Sequence, residues 1–272
     1  MNADIDLDGY FRRIGHTSSV AANLTTLQDI VVRHAAMIPF ENMDPLTQLP
    51  IALDLASLER KLIHQRRGGY CFEHNLLLRN VLLQMGFSVN GLLARVCWEV
   101  PATSTRIRGH MLLRVEIDNS PYIIDVGFGG LTLTGVLRLE PDTIQTTPHE
   151  AFRLIRIQNH FLMQADIRGE WRPVYQFDLQ EQHPIDYEPI NWYLSTCPQS
   201  IFTQHLMAAR ALPDRRYTLR NNQLTTHYLA GASESEMLRD ADQLRDALEN
   251  RFGLAVPQTA AIDAALTRAS AF

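Results

Sequence analysis

The chain has 272 residues, a mass of 31.0 kDa and a formal net charge of −5 at pH 7. With 46% apolar and 20% charged residues it predicts a globular rather than a disordered protein, of one large domain or two to three small ones at ~100–200 residues per domain. The acidic balance argues against a nucleic-acid partner, and because no stretch approaches the ~20 apolar residues of a membrane helix, we expect no membrane partner.

The first third of the chain predicts helices. Apolar residues recur at helical spacing from Leu24 onward until Pro39 interrupts the pattern. Ser57 is expected to cap a short helix over 58–64, and a longer helix is expected over 71–85.

The middle third predicts an antiparallel sheet or barrel. Segments rich in Val, Ile, Leu and aromatic residues, which are typical of strands, cover 92–100, 110–117, 122–128, 152–157, 161–165 and 171–177. The turn signal over 118–121 predicts that the second and third of these strands form a hairpin.

The last third mixes both patterns. Residues 187–210 fit neither pattern, whereas 217–228 are expected to form a hairpin around Asn221. Ser233 and Glu236 have the spacing of a capping box, and the helical periodicity that follows predicts a helix starting there.

The cysteine count predicts the compartment. Three cysteines in a chain of this length do not make a disulfide scaffold, and the N-terminal segment lacks the basic and then apolar pattern of a secretory signal. We therefore expect a cytoplasmic protein, in which a cysteine that matters acts chemically.

The segment over 66–75 is the most informative part of the chain. Gly68 and Gly69 permit a sharp backbone turn and the close approach of another segment, and Cys71 follows at the predicted start of a helix. The partial positive charge at a helix N-terminus favours a thiolate, and its unpaired N–H groups can bind a developing oxyanion. Cys71 is therefore a candidate nucleophile, and the alternative is a small buried core cysteine.

A metal pair of Cys71 and His74 is the other chemical alternative. Because no second Cys/His pair stands at zinc-finger spacing, we expect no metal site. Several other histidines and cysteines have no partner that the sequence can place and are expected to be core or surface residues: His34, His64, His149, His160, His183, His205, His227, Cys97 and Cys197.

His110 and Asp125 are candidates for the base and its orienting group, which a nucleophilic thiol requires. They stand near the open ends of the two strands of the predicted hairpin. If Ile117 pairs with Ser120, His110 and Asp125 become diagonal neighbours with a backbone separation of ~7–8 Å, which a hydrogen bond between their side chains can close. A register shifted by one residue would place them on opposite faces.

Three glycines follow shortly after Asp125: Gly127, Gly129 and Gly130. They can expose N–H groups to a phosphate, or they can form a turn that leaves the sheet. The pattern is neither a P-loop nor a dinucleotide fingerprint.

Taken together, these residues resemble the arylamine N-acetyltransferase family. The motifs that carry the resemblance lie over 38–130: Ile38-Pro39-Phe40-Glu41-Asn42, Arg67-Gly68-Gly69-Tyr70-Cys71-Phe72-Glu73-x-Asn75, Gly109-His110-Met111 and Ile124-Asp125-Val126-Gly127-Phe128-Gly129. The segment over 191–196 is similar to a later part of the family's pattern.

The resemblance implies an α+β fold in three parts, with a core similar to that of cysteine proteases and transglutaminases. An N-terminal helical bundle over 1–86 would carry the nucleophilic cysteine. A central antiparallel β-barrel over 87–190 would carry the histidine and the aspartate, and a C-terminal α/β lid would cover 191–272.

The resemblance also implies the site. Three residues fall on the family's catalytic triad positions: Cys71, His110 and Asp125. Three aromatic residues fall where the family lines its acceptor pocket: Phe40, Phe128 and Phe202. Three glycines are expected to admit coenzyme A: Gly127, Gly129 and Gly130.

The activity implied by the resemblance is acetyl transfer. Acetyl-coenzyme A would be the acyl donor, with no tightly bound cofactor. The acetyl group would pass first to Cys71 and then to an arylamine, an arylhydrazine or an N-hydroxyarylamine.

Two other function classes stay open. A cysteine hydrolase or a transglutaminase-like enzyme would use the same triad on a peptide or amide donor, without coenzyme A. A non-enzymatic binding module would keep the fold and leave the Cys71 thiol inert.

Arg67 and Glu41 are expected to form a structural clamp beside the nucleophile. An arginine can hold a carboxylate by two parallel hydrogen bonds, which would fix the turn that aims Cys71. The alternative is an exposed arginine that contributes almost nothing to stability.

Overall fold

The computed structural model describes residues 4–18, 20–101 and 104–272. Its N-terminal part is helical and comprises α1 (Leu7–Ile14), α2 (Leu24–Met37), the two-residue strand β1 (Phe40–Glu41), α3 (Met43–Leu46), α4 (Leu55–Leu58), which continues as a π-helical segment (Glu59–His64), and α5 (Cys71–Gln84).

The two long helices, α2 and α5, lie where the apolar spacing predicts them. The Asn23 side chain caps α2 by accepting a hydrogen bond from the N–H of Thr26 at 2.9 Å. The predicted Ser57 cap is wrong, because the carboxylate of Asp54 occupies the cap position and accepts from the N–H of Ser57 at 3.0 Å. The helix therefore begins three residues earlier, at Leu55.

An antiparallel sheet of eight strands forms the middle of the chain. In spatial order the strands are β5 (Leu137–Arg138), β4 (Ser120–Ile124), β3 (Arg108–Ile117), β2 (Ser88–Val96), β9 (Glu170–Phe177), β8 (His160–Ile167), β7 (Ala151–Ile157) and β6 (Gln145–Thr146). A bridge between Pro141 and Leu154 brings the segment after β5 against β7, so the sheet forms a nearly closed barrel. The predicted α+β fold with a central antiparallel barrel is confirmed.

β3 and β4 form the predicted hairpin. Asp118 and Asn119 adopt positive φ angles of 50° and 59°, as the two central residues of a tight hairpin turn do. Ile117 pairs with Ser120, which is the register that the sequence analysis assumes. β4 ends just before Asp125, earlier than predicted, because the following backbone turns toward α5.

The C-terminal part combines helices with a second antiparallel sheet. Its helices are α6 (Pro184–Thr196), α7 (Ile201–Gln204), α8 (Ala241–Asp246), which continues as a π-helical segment (Ala247–Arg251), and α9 (Ala260–Ser270). The strand order is β1, β10 (Met207–Leu212), β11 (Arg215–Arg220), β12 (Gln223–Tyr228) and β13 (Ser233–Met237). β1 pairs with β10, so the N-terminal part supplies an edge strand to this sheet.

The capping box predicted at Ser233 is wrong. Ser233 begins β13, pairs with His227 of β12 and shares a 2.9 Å hydrogen bond with its ring. The next helix begins at Ala241, where Asp240 accepts from the N–H of Gln243 at 2.8 Å. The free edge of β12 offers backbone partners to Ser233 that local spacing does not reveal, and this pairing outweighs the local pattern.

Alternation along β3 places the site between two cores. Met111 and Leu113 face the helices, whereas Leu112 faces the barrel interior, and a third apolar core lies in the C-terminal part. One helix, α6, crosses residue 190, and the division into three domains stays a prediction. None of the helices in the described ranges is both long and apolar enough to span a bilayer.

Candidate active site

Cys71, His110 and Asp125 come together where α5 meets β3 and the segment after β4. Their side chains are buried, since the residues are 3%, 3% and 0% exposed. His110 Nε2 lies 2.6 Å from Asp125 Oδ2, and the Cys71 side chain lies within hydrogen-bonding reach of the His110 ring. Because Nε2 faces the carboxylate, Nδ1 is the ring nitrogen left for the thiol.

The charges at this contact favour an imidazolium. Burial by itself would lower the pKa of His110, but Asp125 and Cys71 outweigh burial and raise it to about 10. Burial would raise the pKa of Asp125, yet His110, the N–H of Gly127 and the amide of Asn75 hold it below its usual value. Asp125 therefore stabilises the imidazolium form of His110, and an imidazolium next to a cysteine is the setting in which a thiol can act as a nucleophile.

Asn75 joins the three segments that carry these residues. Its amide nitrogen lies 3.1 Å from Cys71 O, 2.9 Å from Met111 O and 3.1 Å from Asp125 Oδ1. Its oxygen accepts from the N–H of Val126 at 3.3 Å. Sequence reasoning assigned it no role, although a polar residue one helical turn after the nucleophile is a signal for one.

Gly127 lets the segment after β4 touch the start of α5. A Cβ at this position would lie 2.7 Å from Cys71 Cα, which is closer than side chains tolerate. Its N–H donates to Asp125 Oδ1 at 2.9 Å and holds the carboxylate toward His110.

Two aromatic rings surround His110. The Phe128 ring meets the His110 ring edge to face, with centroids 5.1 Å apart, and the Tyr175 ring lies 5.0 Å from His110 and 5.4 Å from Phe128. Tyr175 is buried on β9, and burial together with the nearby Asp125 carboxylate raises the pKa of its hydroxyl. Nothing in the local sequence around Tyr175 distinguishes it from other strand residues, because only the pairing of β9 with β2, the neighbour of β3, brings it next to His110.

The predicted pocket residues fall on two sides of the site. The rings of Phe40 and Phe202 lie 6.3 Å apart, and Tyr70 meets Phe202 edge to face at 5.4 Å. Gly129 packs on the Phe40 ring, where a Cβ would lie 3.5 Å from Phe40 Cγ. Phe128, one residue earlier, lies on the His110 side of this loop.

The glycines after Asp125 have different surroundings. The N–H of Gly127 bonds to Asp125, and the N–H of Gly129 donates to Thr132 Oγ1 at 2.8 Å. Gly130 is exposed. The N–H groups of Gly127 and Gly129 are thus occupied within the protein, so these two glycines allow close packing rather than offer donors.

Arg67 is buried and contacts Glu41, as expected. Its Nε lies 2.8 Å from Glu41 Oε1, and one terminal nitrogen lies 2.7 Å from the same oxygen and 2.8 Å from Asp44 Oδ1. Lys61 Nζ lies 2.7 Å from Asp44 Oδ2 and 2.7 Å from Glu73 Oε1. These five residues form a buried charge cluster of three carboxylates and two cations.

The buried charge cluster differs from the predicted fork. Arg67 divides its hydrogen bonds between two carboxylates, because Glu41 Oε2 accepts from the N–H of Met43 at 2.6 Å. Glu73 Oε2 accepts from the N–H of Tyr70 at 3.0 Å, so the cluster holds the residue that precedes Cys71. Sequence reasoning did not identify Asp44, Lys61 or Glu73, which are brought together only by the folded helices.

His74 does not join Cys71 in a metal pair. Its Nδ1 lies 2.9 Å from His34 Nε2 and its Nε2 lies 3.2 Å from Pro39 O. Across the residues that the structure describes, no three His, Cys, Asp or Glu side chains are grouped as metal ligands.

The chain is similar to known N-acetyltransferases in sequence and in fold. A sequence model of the family described as N-acetyltransferase matches residues 23–261. The chain is 42% identical over 254 residues to an arylamine N-acetyltransferase of Mycolicibacterium smegmatis, covering 92% of each, and 41% identical over 251 residues to one of Escherichia coli, covering 92% of this chain and 89% of that one. The Mycobacterium marinum arylamine N-acetyltransferase structure in complex with CoA matches with a TM-score of 0.94 and 37% identity, covering 97% of this chain and 99% of that chain.

Removing the cation of Arg67 should destabilise the fold. In Arg67→Ala, buried Glu41 loses its partner, and we expect the free energy of unfolding to fall by ~3–5 kcal/mol in denaturant titrations. Arg67→Lys should also destabilise, because one ammonium nitrogen cannot replace the two guanidinium nitrogens that contact Glu41 and Asp44. The control is Arg215→Ala, since Arg215 pairs with its exposed neighbour Asp214 and should leave stability nearly unchanged. Equal midpoints for the Arg67 and Arg215 variants would contradict a stabilising role of the cluster.

Asp125→Asn should preserve the fold and remove most thiol reactivity. Asp125 Oδ1 accepts from Asn75 and Gly127, so the new amide nitrogen would take the Oδ2 position and donate to His110 Nε2. His110 would then be neutral with its proton on Nδ1, unable to accept the thiol proton. We expect acylation of Cys71 to slow by on the order of 10³- to 10⁴-fold with an unchanged circular dichroism spectrum. A near-normal rate would show that Asp125 does not orient His110.

Proposed function

The chain belongs to the arylamine N-acetyltransferase family, and from this premise we propose that it transfers acetyl from acetyl-coenzyme A to Cys71 and then to an arylamine, an arylhydrazine or an N-hydroxyarylamine. The observation that supports this proposal is the buried contact of Cys71, His110 and Asp125, with His110 held as an imidazolium. The coenzyme A complex of the M. marinum relative is consistent with coenzyme A as the acyl carrier.

In the first half-reaction the Cys71 thiolate attacks the thioester carbonyl of acetyl-coenzyme A. A bond forms between Cys71 Sγ and the acetyl carbon, and the bond from that carbon to the coenzyme A sulfur breaks. His110 Nδ1–H gives its proton to the leaving sulfur, which leaves a neutral imidazole beside an acetylated Cys71.

In the second half-reaction the acceptor amine attacks the acetyl thioester on Cys71. Neutral His110 accepts the amine proton at Nδ1, the bond from Cys71 Sγ to the acetyl carbon breaks, and the starting ion pair returns. Asp125 keeps His110 Nε2 bonded throughout, so Nδ1 is the nitrogen that exchanges the proton.

The acceptor pocket and the coenzyme A entry are proposed from the same surroundings. Phe40 and Phe202 pack against each other on one side, Phe128 packs against His110 on the other, and we assign these three rings to the binding of an aromatic acceptor. The exposed Gly130 lies beside Thr218 of β11, where a Cβ would come within 3.0 Å of Thr218 Cγ2, and the coenzyme A role of this loop stays a prediction. The expected cytoplasmic location likewise stays a prediction.

Acetylation of the thiol is the direct test of the proposed function. Incubation with acetyl-coenzyme A alone should add one acetyl group to the intact protein, seen by mass spectrometry, and a subsequent arylamine should remove it. Cys71→Ala should take up none, whereas the control Cys197→Ala should behave as the unaltered chain, because Cys197 lies beyond the C-terminus of α6 and contacts Gln199.

The alternatives give different outcomes in that experiment. A cysteine hydrolase or transglutaminase-like enzyme would be acylated by an amide donor and not by acetyl-coenzyme A. A binding module would leave Cys71 unmodified and would also leave it slow toward iodoacetamide at mildly acidic pH.

Phe128→Ala should weaken aromatic acceptors selectively. The substitution removes a ring beside His110, and an aromatic contact contributes ~0.5–1.5 kcal/mol beyond buried area, so KM for an arylamine should rise by about two- to tenfold. Hydrazine itself, which has no ring, should be affected less, and acetylation of Cys71 by acetyl-coenzyme A should keep its rate. Equal losses for the arylamine and for hydrazine would contradict stacking.

A further inference from the structure

Two buried histidines and a tyrosine form a second polar chain behind the nucleophile. The hydroxyl of Tyr10 on α1 lies 2.9 Å from His34 Nδ1 on α2, and His34 Nε2 lies 2.9 Å from His74 Nδ1 on α5. His74 Nε2 lies 3.2 Å from Pro39 O, and the backbone of Gly69 is also within hydrogen-bonding reach of the His74 ring. Tyr10, His34 and His74 are each 0% exposed, and the acetyl-transfer steps above use none of them.

The carbonyl oxygen of Pro39, at the end of this hydrogen-bonded chain, determines which atom carries each proton along it. Pro39 O can only accept, so His74 carries its proton on Nε2 and its Nδ1 is a bare acceptor. His34 must then donate from Nε2 to His74, which leaves His34 Nδ1 to accept from the hydroxyl of Tyr10. The hydrogen bonds therefore run in one direction, from α1 through α2 and α5 to Pro39.

His74 Nε2, the last donor of the hydrogen-bonded chain, lies next to the place where two segments of the site pair with each other. Phe40 forms a bridge with Gly69, and the N–H of Glu41 donates to Gly69 O at 2.9 Å. One of these segments carries the Phe40 ring, and the other leads through Tyr70 to Cys71 at the start of α5. His74 lies on α5 three residues after Cys71, so it relates the nucleophile's helix to the Phe40 segment.

We propose that His74, aligned by His34 and Tyr10, is a positioning residue that holds the Phe40 wall of the acceptor pocket at a fixed place relative to Cys71. This inference rests on the proposed function, since it assigns Phe40 to the acceptor. The proposal predicts different effects on the two half-reactions. Binding of the acceptor should depend on the hydrogen-bonded chain, because the chain bonds to the segment that carries Phe40. Acetylation of Cys71 should not depend on it, because the chain does not contact the His110–Asp125 pair.

All the hydrogen bonds of this directed chain are present only while both imidazoles are neutral, although the bond to Pro39 O is the one that holds the Phe40 segment. A proton added to His74 Nδ1 removes the acceptor for His34, and a proton added to His34 Nδ1 removes the acceptor for Tyr10. Burial lowers the pKa of His74 to about 4 and that of His34 well below its usual value. Charges from the neighbouring elements add to this: Arg13 and His74 disfavour a proton on His34, Lys61 disfavours one on His74, and Asp125 favours it.

The sign of the pH effect follows from these shifts. Unfolded histidine titrates near 6.5 and native His74 near 4, so between these values the unfolded chain binds more protons. The stability contributed by neutral His74 is present above pH 6.5 and is lost as the pH falls toward about 4.

A matched pair of substitutions at His74 tests the positioning role. Gln places an amide nitrogen near the Nε2 position and keeps the donor to Pro39 O, whereas Asn places an amide oxygen near Nδ1 and keeps only the acceptor for His34. We expect His74→Asn to raise the arylamine KM by about three- to tenfold and His74→Gln to stay within about twofold of the unaltered chain. Both should retain the rate of Cys71 acetylation by acetyl-coenzyme A in the absence of acceptor. Equal KM values for the two variants would overturn the proposal.

Imidazole nitrogen NMR on the unaltered protein tests the hydrogen bonds of Tyr10, His34 and His74 without a variant. Both His34 and His74 should be neutral with the proton on Nε2 from pH 8 to pH 5.5, and a proton on Nδ1 in either would overturn the proposal. If the unaltered chain takes no acetyl from acetyl-coenzyme A, the proposed function fails, while the NMR result still decides the direction of the hydrogen bonds.

Discussion

The rest of the site depends on a buried charge cluster in which two cations hold three carboxylates away from water. Arg67 and Lys61 each contact two carboxylates, and together they connect β1, α3, the π-helical segment and α5. Charges without partners are costly to bury, so these segments are stable only when all of them are in place. The cluster therefore fixes the backbone just before Cys71 through the bond from Tyr70 N–H to Glu73, and the geometry of the nucleophile follows from it.

Shared hydrogen-bond partners also hold the reacting residues together. Asn75 and Gly127 bring α5, β3 and the segment after β4 within a few ångströms of one another, and the barrel holds Tyr175 against His110. A donor set prepared in this way needs no rearrangement when charge moves during acyl transfer, because the dipoles already point at the reacting groups. The N-terminal helices and the barrel thus contribute different atoms to one rigid site.

Local sequence features predicted the parts of this arrangement that are local in the chain. The start of α5 at Cys71 and the β3–β4 register were accessible because each depends on neighbouring residues. The sharp turn predicted at Gly68 and Gly69 is wrong, since neither glycine has a positive φ; glycine is required there because Pro39 O and the Glu73 side chain pack against the backbone. The caps assigned to Ser57 and Ser233 were wrong, since Asp54 and the edge of β12 compete for the same backbone groups. Tyr175 and Lys61 were not foreseen, because their roles arise from segments that meet only in the folded chain.

The placement of Lys61 also governs how this chain responds to electrophiles. It is the only lysine in the sequence, and an amine attacks an activated ester only as the neutral base. Burial would lower the pKa of Lys61, but the carboxylates of Glu73, Glu41 and Asp44 outweigh burial and raise it, and two of them hold Nζ at 2.7 Å. Its lone pair is therefore occupied by a proton, and arginine side chains do not form stable amides under such conditions. Acetylated Cys71 therefore has no reactive lysine in this protein to modify. Succinimidyl esters and lysine-directed crosslinkers will leave the side chains unlabelled while the fold is intact.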